Sequence, residues 1–319
     1  MEAGPKPGGY SNEKAVESGV VPVGFTKEAK IEQAGRILRT LTEKPYREDV
    51  ENNIYRYLTK RLSDSEWRKL WRPMEDIGAD KRFTETQRLV EHEARLAGFN
   101  TSSRQGTWFS IYKKNPLAKK RLRFENKNKH VAVEVDFKEY FTLATLSGTP
   151  EGTLAQAEAF NKALLGIAKD LDSLAQREQD KIQLKTPVNI YEFITHPDSL
   201  VIHFHNKDTG PKVRDIVARR LIAEGLYTAR DGRTESGFDF QSNNDHFGGS
   251  HSELLAKIVA DHLIKAVNAN PKLRESSPEV LSEFVDAKLK EISNLPPKEI
   301  LTRINSIHSE EWSTTGEKT

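Results

Sequence analysis

Hydrophobic residues recur at helical spacing through most of the first hundred positions. The pattern runs through Ile31, Ala34, Ile37, Leu38 and Leu41, then resumes after Pro45 at Val50, Ile54, Tyr57 and Leu58. A period near 3.6 residues is typical of an amphipathic helix. A short aromatic stretch from Ser65 to Pro73 predicts a third helix, and Thr84 to Ala97, ending at Gly98, predicts a fourth. We therefore expect an N-terminal helical subdomain.

The period changes to two after Gly98, where Trp108, Ser110 and Tyr112 alternate with Phe109 and Ile111. Further strands are predicted over 127–136, 181–186, 190–194 and 200–205, and a polar loop over 231–244. Helices are predicted over 153–179, 211–225, 250–266, 279–292 and 298–309. The pattern predicts an α+β fold: a central mixed or antiparallel β-sheet flanked by helices, with an N-terminal helical subdomain. The expected division is a disordered tail (1–24), helical subdomain (25–98), α+β domain (99–270), C-terminal helices (271–310) and tail (311–319).

The strand over 127–136 has two unlike faces. Val131, Val133 and Val135 alternate with His130, Ala132 and Glu134. The residues just before His130 are strongly basic, so an imidazole there is suited to moving protons beside a positive region. The alternative is an edge strand that carries a hydrogen-bonded histidine.

Charge is local in this chain. The total of 49 basic and 47 acidic residues gives +2, so no nucleic-acid partner is expected. Between Thr101 and His130, however, the sequence contains nine Lys or Arg residues and a single acidic residue, Glu125. This segment either binds an anion or is a solvated loop.

Cysteine is absent, which excludes disulfides and thiolate catalysis and fits a reducing compartment or export without oxidative folding. His203 and His205 share a strand face but lack a third ligand at a recognised spacing, so we expect no metal and no other cofactor. No apolar run reaches membrane-spanning length, and the N-terminus lacks the pattern of a classical secretion signal.

A helix start is encoded at residues 248–253, Gly-Gly-Ser-His-Ser-Glu. Ser250 and Glu253 match the reciprocal capping box. Since helix N-termini bind anions, the first amides after the two glycines could bind a phosphate group. Judged in isolation, the motif favours a plain helix start.

Several segments, taken in order, resemble the phosphothreonine lyase fold of bacterial type III effectors, the OspF and SpvC kind, and especially the HopA effector group. They are Gly98-Phe99, the strand Lys129-His130-Val131-Ala132-Val133, the strand Lys181 to Lys185, the strand Leu200 to Phe204, and Phe247 to Leu255. Together they extend over roughly half the chain.

The resemblance implies elimination of phosphate from a phosphothreonine or phosphoserine residue, which leaves a dehydroamino acid. By position, Lys185 resembles the base and His130 the general acid. Phosphate and substrate contacts would come from Lys129, His203, Arg233, Ser250 and His251. Strand alternation supports Lys185, because Ile182 and Leu184 would face the core while Lys181, Gln183 and Lys185 share the other face.

The chain also departs from the family pattern. Asn128 stands where the family has a lysine, and His203 stands where it has a tyrosine. The phosphate-binding arginine before that strand has no counterpart, which leaves loop arginines such as Arg104, Arg230 and Arg233 as substitutes.

Three functional hypotheses follow. The first is a type III effector, secreted into the host cell cytoplasm, that eliminates phosphate from a phosphorylated protein or peptide. The second is a non-catalytic effector whose basic concave surface binds a host protein or a secretion chaperone. The third is a lyase of peptide natural-product maturation in the bacterial cytoplasm.

Overall fold

The computed structural model describes residues 25–43, 46–104, 108–116, 122–125, 131–141, 143, 149–196, 198–226, 233–242, 251–293, 295, 299–300, 302–304 and 306–307. For 103–104, 122–125, 131–136, 233–242, 251 and 293 it describes the backbone alone. The predicted N-terminal tail lies outside these residues.

Nine named α-helices occur in the described chain. They are α1 (Lys27–Glu43), α2 (Arg47–Thr59), α3 (Asp64–Asp76), α4 (Ala79–Leu96), α5 (Pro150–Glu178), α6 (Ile190–Thr195), α7 (Gly210–Ala223), α8 (His251–Ala269) and α9 (Pro278–Ser293). The described residues between 299 and 307 are also helical. Short 3-10 turns span Lys207–Thr209 and Pro271–Glu275.

Helix α3 begins two residues earlier than the sequence predicted, so Ser65 is not its cap. Ser63 is the N-cap: its Oγ accepts a hydrogen bond from the Glu66 amide at 3.2 Å, and the Glu66 carboxylate accepts one from the Ser63 amide at 2.7 Å. The predicted stop at Pro73 is also wrong, because the helix continues through it to Asp76. Burial of Met74 in the core favours this continuation over the proline's local preference.

Seven described strands form one antiparallel sheet. They are β1 (Asn100–Arg104), β2 (Trp108–Tyr112), β3 (Leu122–Glu125), β4 (Val131–Phe141), β5 (Gln183–Pro187), β6 (Leu200–Phe204) and β7 (Arg233–Ser242). The order is β1-β2-β5-β6-β4-β3, and β7 pairs with β4 as well. Because β3 pairs with the first half of β4 and β6 with the second, both lie on one edge of β4 while β7 follows the other edge.

Two sequence-based assignments are wrong. Residues 190–194 form helix α6 rather than a strand; the Asn189 side chain accepts from the Glu192 amide, and Ile190, Phe193 and Ile194 are buried at helical spacing. The predicted loop over 231–244 contains β7, which pairs with ten consecutive residues of β4. Pairing along a long neighbouring strand outweighs the low strand propensity of its Gly, Ser and Asp residues.

One face of the sheet packs against helices. Phe109, Leu184 and Ile202 are buried in a hydrophobic cluster that includes residues of α3 to α7. A second cluster joins α1 and α2 to α8, α9 and the described residues between 300 and 307. The predicted α+β class with an N-terminal helical region is therefore confirmed, whereas the domain boundaries stay predictions. Among the described helices, none has the length and apolar character needed to cross a membrane.

Candidate functional site

The second face of the sheet carries polar side chains from four adjacent strands. Residues paired in register share a face, so the pairings define two rows across the strands. The Lys185 row reads Ser110, Lys185, Val201 and Tyr140, and the His203 row reads Tyr112, Gln183, His203 and Lys138. We call this surface the polar face.

Lys185 lies in the middle of the polar face. It is opposite Ser110 of β2 and Val201 of β6, and its side chain is half-buried. The expected strand phase is confirmed, because Ile182 and Leu184 are buried in the core while Gln183 and Lys185 alternate with them.

His203 and Lys138 are direct neighbours on this face. They are paired across β6 and β4, which puts their Cβ atoms roughly 5 Å apart. His203 also stands two residues along β6 from Val201, the partner of Lys185. Diagonal neighbours of this kind lie roughly 7 to 8 Å apart, within reach of long side chains.

Three residues of the polar face are buried, whereas the other five, Lys185 and His203 among them, are half-buried. Ser110 is 4 % exposed, Lys138 is 7 % exposed and Val201 is 6 % exposed. Lysine is rarely buried to this extent, so the position of Lys138 marks this part of the sheet as unusual. Sequence reasoning missed Lys138; its signal was its even spacing from His130, Ala132 and Glu134 along the strand.

The structure describes the other predicted site residues only by their backbone or not at all. Lys129, His130 and Ser250 lie outside the described residues. Arg233 begins β7 opposite Tyr140, and His251 is the first residue of α8, directly after the predicted Ser250 cap. The basic segment contributes the strands β1, β2 and β3, although much of it lies outside the described residues.

The described backbone does not bring the start of β4 near Lys185. Val131 precedes Tyr140, the β4 member of the Lys185 row, by nine residues of continuous strand. At about 3.3 Å per residue, the separation along the strand is roughly 30 Å. Lys185 and the first residue of β4 therefore belong to different regions of the sheet.

A buried charged cluster borders the polar face beyond the Lys185 row. Trp108 lies two residues before Ser110 in β2, and its ring contacts the His196 imidazole edge to face, with centroids 4.8 Å apart. Arg61 is fully buried, and its Nε donates to the Ile194 carbonyl at 2.7 Å. Burial lowers the pKa of Arg61 to about 10.

His196 is held neutral in this cluster. Burial, and then the positive charge of Arg61, lower the pKa of His196 to about 3. Its Nδ1 accepts a hydrogen bond from the Asp198 amide at 3.3 Å. A histidine in this state packs as a polar aromatic residue and does not exchange protons near neutral pH.

Asp180 forms hydrogen bonds with the chain that follows the C-terminal end of β6. Its carboxylate accepts from the amides of His205 and Asn206 at 2.8 and 3.1 Å, and from the Thr209 hydroxyl at 2.9 Å. These bonds anchor the chain that follows His203, so they position the His203 row.

Within the described residues, no group of three or more histidines and carboxylates is arranged to hold a metal ion. The polar face offers two lysines, an imidazole, two tyrosines, a serine and an amide. This set suits binding of an anion and transfer of a proton.

No protein-family model matches this chain, and no curated protein matches it. The resemblance to the phosphothreonine lyases therefore stays a prediction that rests on the residues quoted for it.

Proposed function

We propose that the polar face eliminates phosphate from phosphorylated Ser or Thr residues, with Lys185 as the base and His203 as the general acid. The observation that carries the proposal is the pairing register, which places both residues on one face of adjacent strands, diagonal to each other.

We assign the role of general acid to His203 because it lies close to Lys185 on the sheet. A general acid and base that act on one substrate residue must both reach it. His203 lies roughly 7 to 8 Å from Lys185 by register, whereas β4 begins roughly 30 Å along the strand from the Lys185 row. The predicted role of His130 is therefore not part of this proposal.

The proposed reaction balances without a cofactor. Neutral Lys185 takes the α-proton, the electrons of that C–H bond form the Cα–Cβ double bond, and the Cβ–O bond breaks. Phosphate departs with the bonding pair and accepts a proton from His203. A neutral lysine is favoured where it is partly removed from water, and Lys185 is half-buried.

The biological setting that we propose is a type III effector acting on a phosphorylated host protein. This part follows from the family resemblance. The binding of a secretion chaperone belongs to the same proposal.

The test uses mass spectrometry on a library of phosphothreonine and phosphoserine peptides incubated with the full-length protein. The expected product is lighter than the unphosphorylated peptide by the mass of one water, because elimination adds none back. Lys185→Ala and His203→Ala should each lower the rate by about 10²- to 10⁴-fold, the usual share of a general acid or base.

A matched control is Lys212→Ala, which removes a half-exposed lysine of α7 that pairs with Glu178. Its rate should equal that of the unmodified protein. Elimination that continues in both site variants would refute the residue assignment. Phosphopeptide binding without any elimination would refute the lyase and support the non-catalytic effector.

A further inference from the structure

We propose that the exposed face of α3 docks a second copy of this chain, so that two α3 helices pack antiparallel about a two-fold axis. Five exposed residues make up this surface, which we call the α3 charged face: Arg68, Lys69, Arg72, Glu75 and Asp76. Their spacing of i, i+1, i+4, i+7 and i+8 places them on one side of the helix. The other side packs on the hydrophobic cluster that α3 shares with the sheet. Docking of this kind does not depend on the proposed reaction.

Charge is segregated along the α3 charged face. The three cations come first, and the two acids occupy the last turn, which contains no basic residue. Acids in the last turn lie at the negative end of the helix macrodipole, so their position is unfavourable for α3 alone. The order within the helix is also the weaker one for an i,i+4 ion pair, because the cation Arg72 precedes the acid Asp76. These charges are therefore poorly compensated within their own helix.

The rest of the described chain does not compensate them either. The acids at the start of α3 already have partners, since Asp64 accepts a hydrogen bond from Arg36 at 2.6 Å and Glu66 accepts one from Thr26 at 2.7 Å. In contrast, no described residue forms an ion pair or a side-chain hydrogen bond with any member of the α3 charged face. A positive patch and a negative patch thus lie side by side, and both are available to a partner.

A second copy of the chain has the charges that match. When two helices pack antiparallel about a two-fold axis, each contact occurs twice, and the order of charges is reversed in the partner. The cations of one α3 then face the acids of the other, in both directions. A uniformly acidic or uniformly basic partner would instead meet like charge at one end of the face. Charge complementarity therefore favours self-association over binding of a partner with one sign of charge.

The size of the surface limits the affinity. Helix α3 has 13 residues, so it is roughly 20 Å long at 1.5 Å per residue. Interfaces that bury less than about 1,200 Å² in total are typical of transient complexes. Exposed ion pairs also contribute little each, and they are screened over about 8 Å at physiological ionic strength. We therefore expect a weak dimer whose Kd rises with salt.

Sedimentation velocity of the full-length protein tests this, with a concentration series at low salt and at physiological salt. The unmodified protein should show a monomer–dimer equilibrium that shifts to monomer as salt is added. Arg68→Glu/Arg72→Glu makes the face mainly acidic, and Glu75→Lys/Asp76→Lys makes it wholly basic. Each double variant should weaken self-association by at least about 10-fold, because like charges then face each other.

Mixing the two double variants is the decisive step. An acidic face should bind a basic one, so the equimolar mixture should form a heterodimer although neither variant forms a homodimer. A folding defect cannot produce this result, since both chains must present an intact α3. The matched control is Arg88→Glu at an exposed position of α4, which should self-associate as the unmodified protein does.

Three results would overturn the proposal. The first is an unmodified protein that stays monomeric at low salt. The second is a dimer whose affinity is unchanged in both double variants, because another surface would then hold it together. The third is a mixture of the two double variants that forms no heterodimer. None of these results depends on whether the protein eliminates phosphate, so the lyase proposal stands or falls separately.

Discussion

Acid should destabilise this protein through His196. The side chain is buried against Trp108 and close to the guanidinium of Arg61, and its pKa is lowered from 6.5 to about 3. Protonation in the folded state would place a second cation beside buried Arg61 and would remove the Nδ1 lone pair that accepts from the Asp198 amide. The Asp198 carboxylate, 3.9 Å from Nδ1, does not offset these effects.

The direction and size of the effect follow from proton linkage. Between pH 6.5 and about 3 the unfolded chain binds a proton at His196 that the folded chain does not, so the free energy of unfolding rises with pH across this window. The contribution is complete above pH 6.5 and is lost as the pH falls towards 3. At 1.36 kcal/mol per unit, about 2.5 kcal/mol should be lost between pH 7.0 and 4.5.

Urea denaturation at both pH values measures this loss. His196→Gln retains an acceptor but cannot be protonated, so its free energy of unfolding should vary less with pH than that of the unmodified protein, by about 2.5 kcal/mol over this interval. The control is His92→Gln at an exposed position of α4, which should leave the pH dependence unchanged. Equal pH dependence in His196→Gln and the unmodified protein would refute the argument that His196 stays neutral in the fold.

Two further substitutions test how the fold supports the site. Ser63→Ala removes the α3 cap and should lower the free energy of unfolding by about 0.5 to 2 kcal/mol, measured by chemical denaturation with Ser173→Ala of α5 as an exposed control; an unchanged midpoint would contradict the capping geometry. Asp180→Asn replaces a carboxylate that accepts from two backbone amides and the Thr209 hydroxyl, and it should cost about 2 to 5 kcal/mol because an amide nitrogen then faces hydrogen-bond donors. Exposed Asp215→Asn of α7 is its control, and an equal effect of the two changes would exclude the anchoring role.

The helices were predictable because their information is local. A buried stripe such as Ile37, Leu38 and Leu41 determines both the element and its packed face, and all three residues are buried in α1. Helix α8 begins at His251, the residue after the predicted Ser250 cap. The predicted start of α3 was less accurate, because Ser63 and Ser65 are both plausible N-caps. Only Ser63 has Glu66 three residues later, as the capping box requires.

The errors occurred where non-local contacts decide the conformation. The segment that forms β7 contains Gly237, Asp239 and polar neighbours, which locally favour a loop. It is a strand because β4 is long enough to pair with all ten of its residues. Residues 190–194 show the opposite case, since a single Asn189 cap and burial of Phe193 make a short helix out of a sequence with high strand propensity.

The candidate site could be predicted only in part, for a reason specific to antiparallel sheets. Alternation within one strand showed that Gln183 and Lys185 share a face, but the neighbours across the strands depend on register, which no short motif encodes. Lys138 is 47 residues from Lys185 in sequence, and it joins the same face only because β6 pairs with both β4 and β5. A one-residue shift of β6 would turn His203 and Val201 to the apolar face, leaving Lys185 without its proposed acid. The hydrogen bonds of Asp180 to the chain after His203 oppose such a shift, so the proposed chemistry depends on a residue that lies outside the polar face.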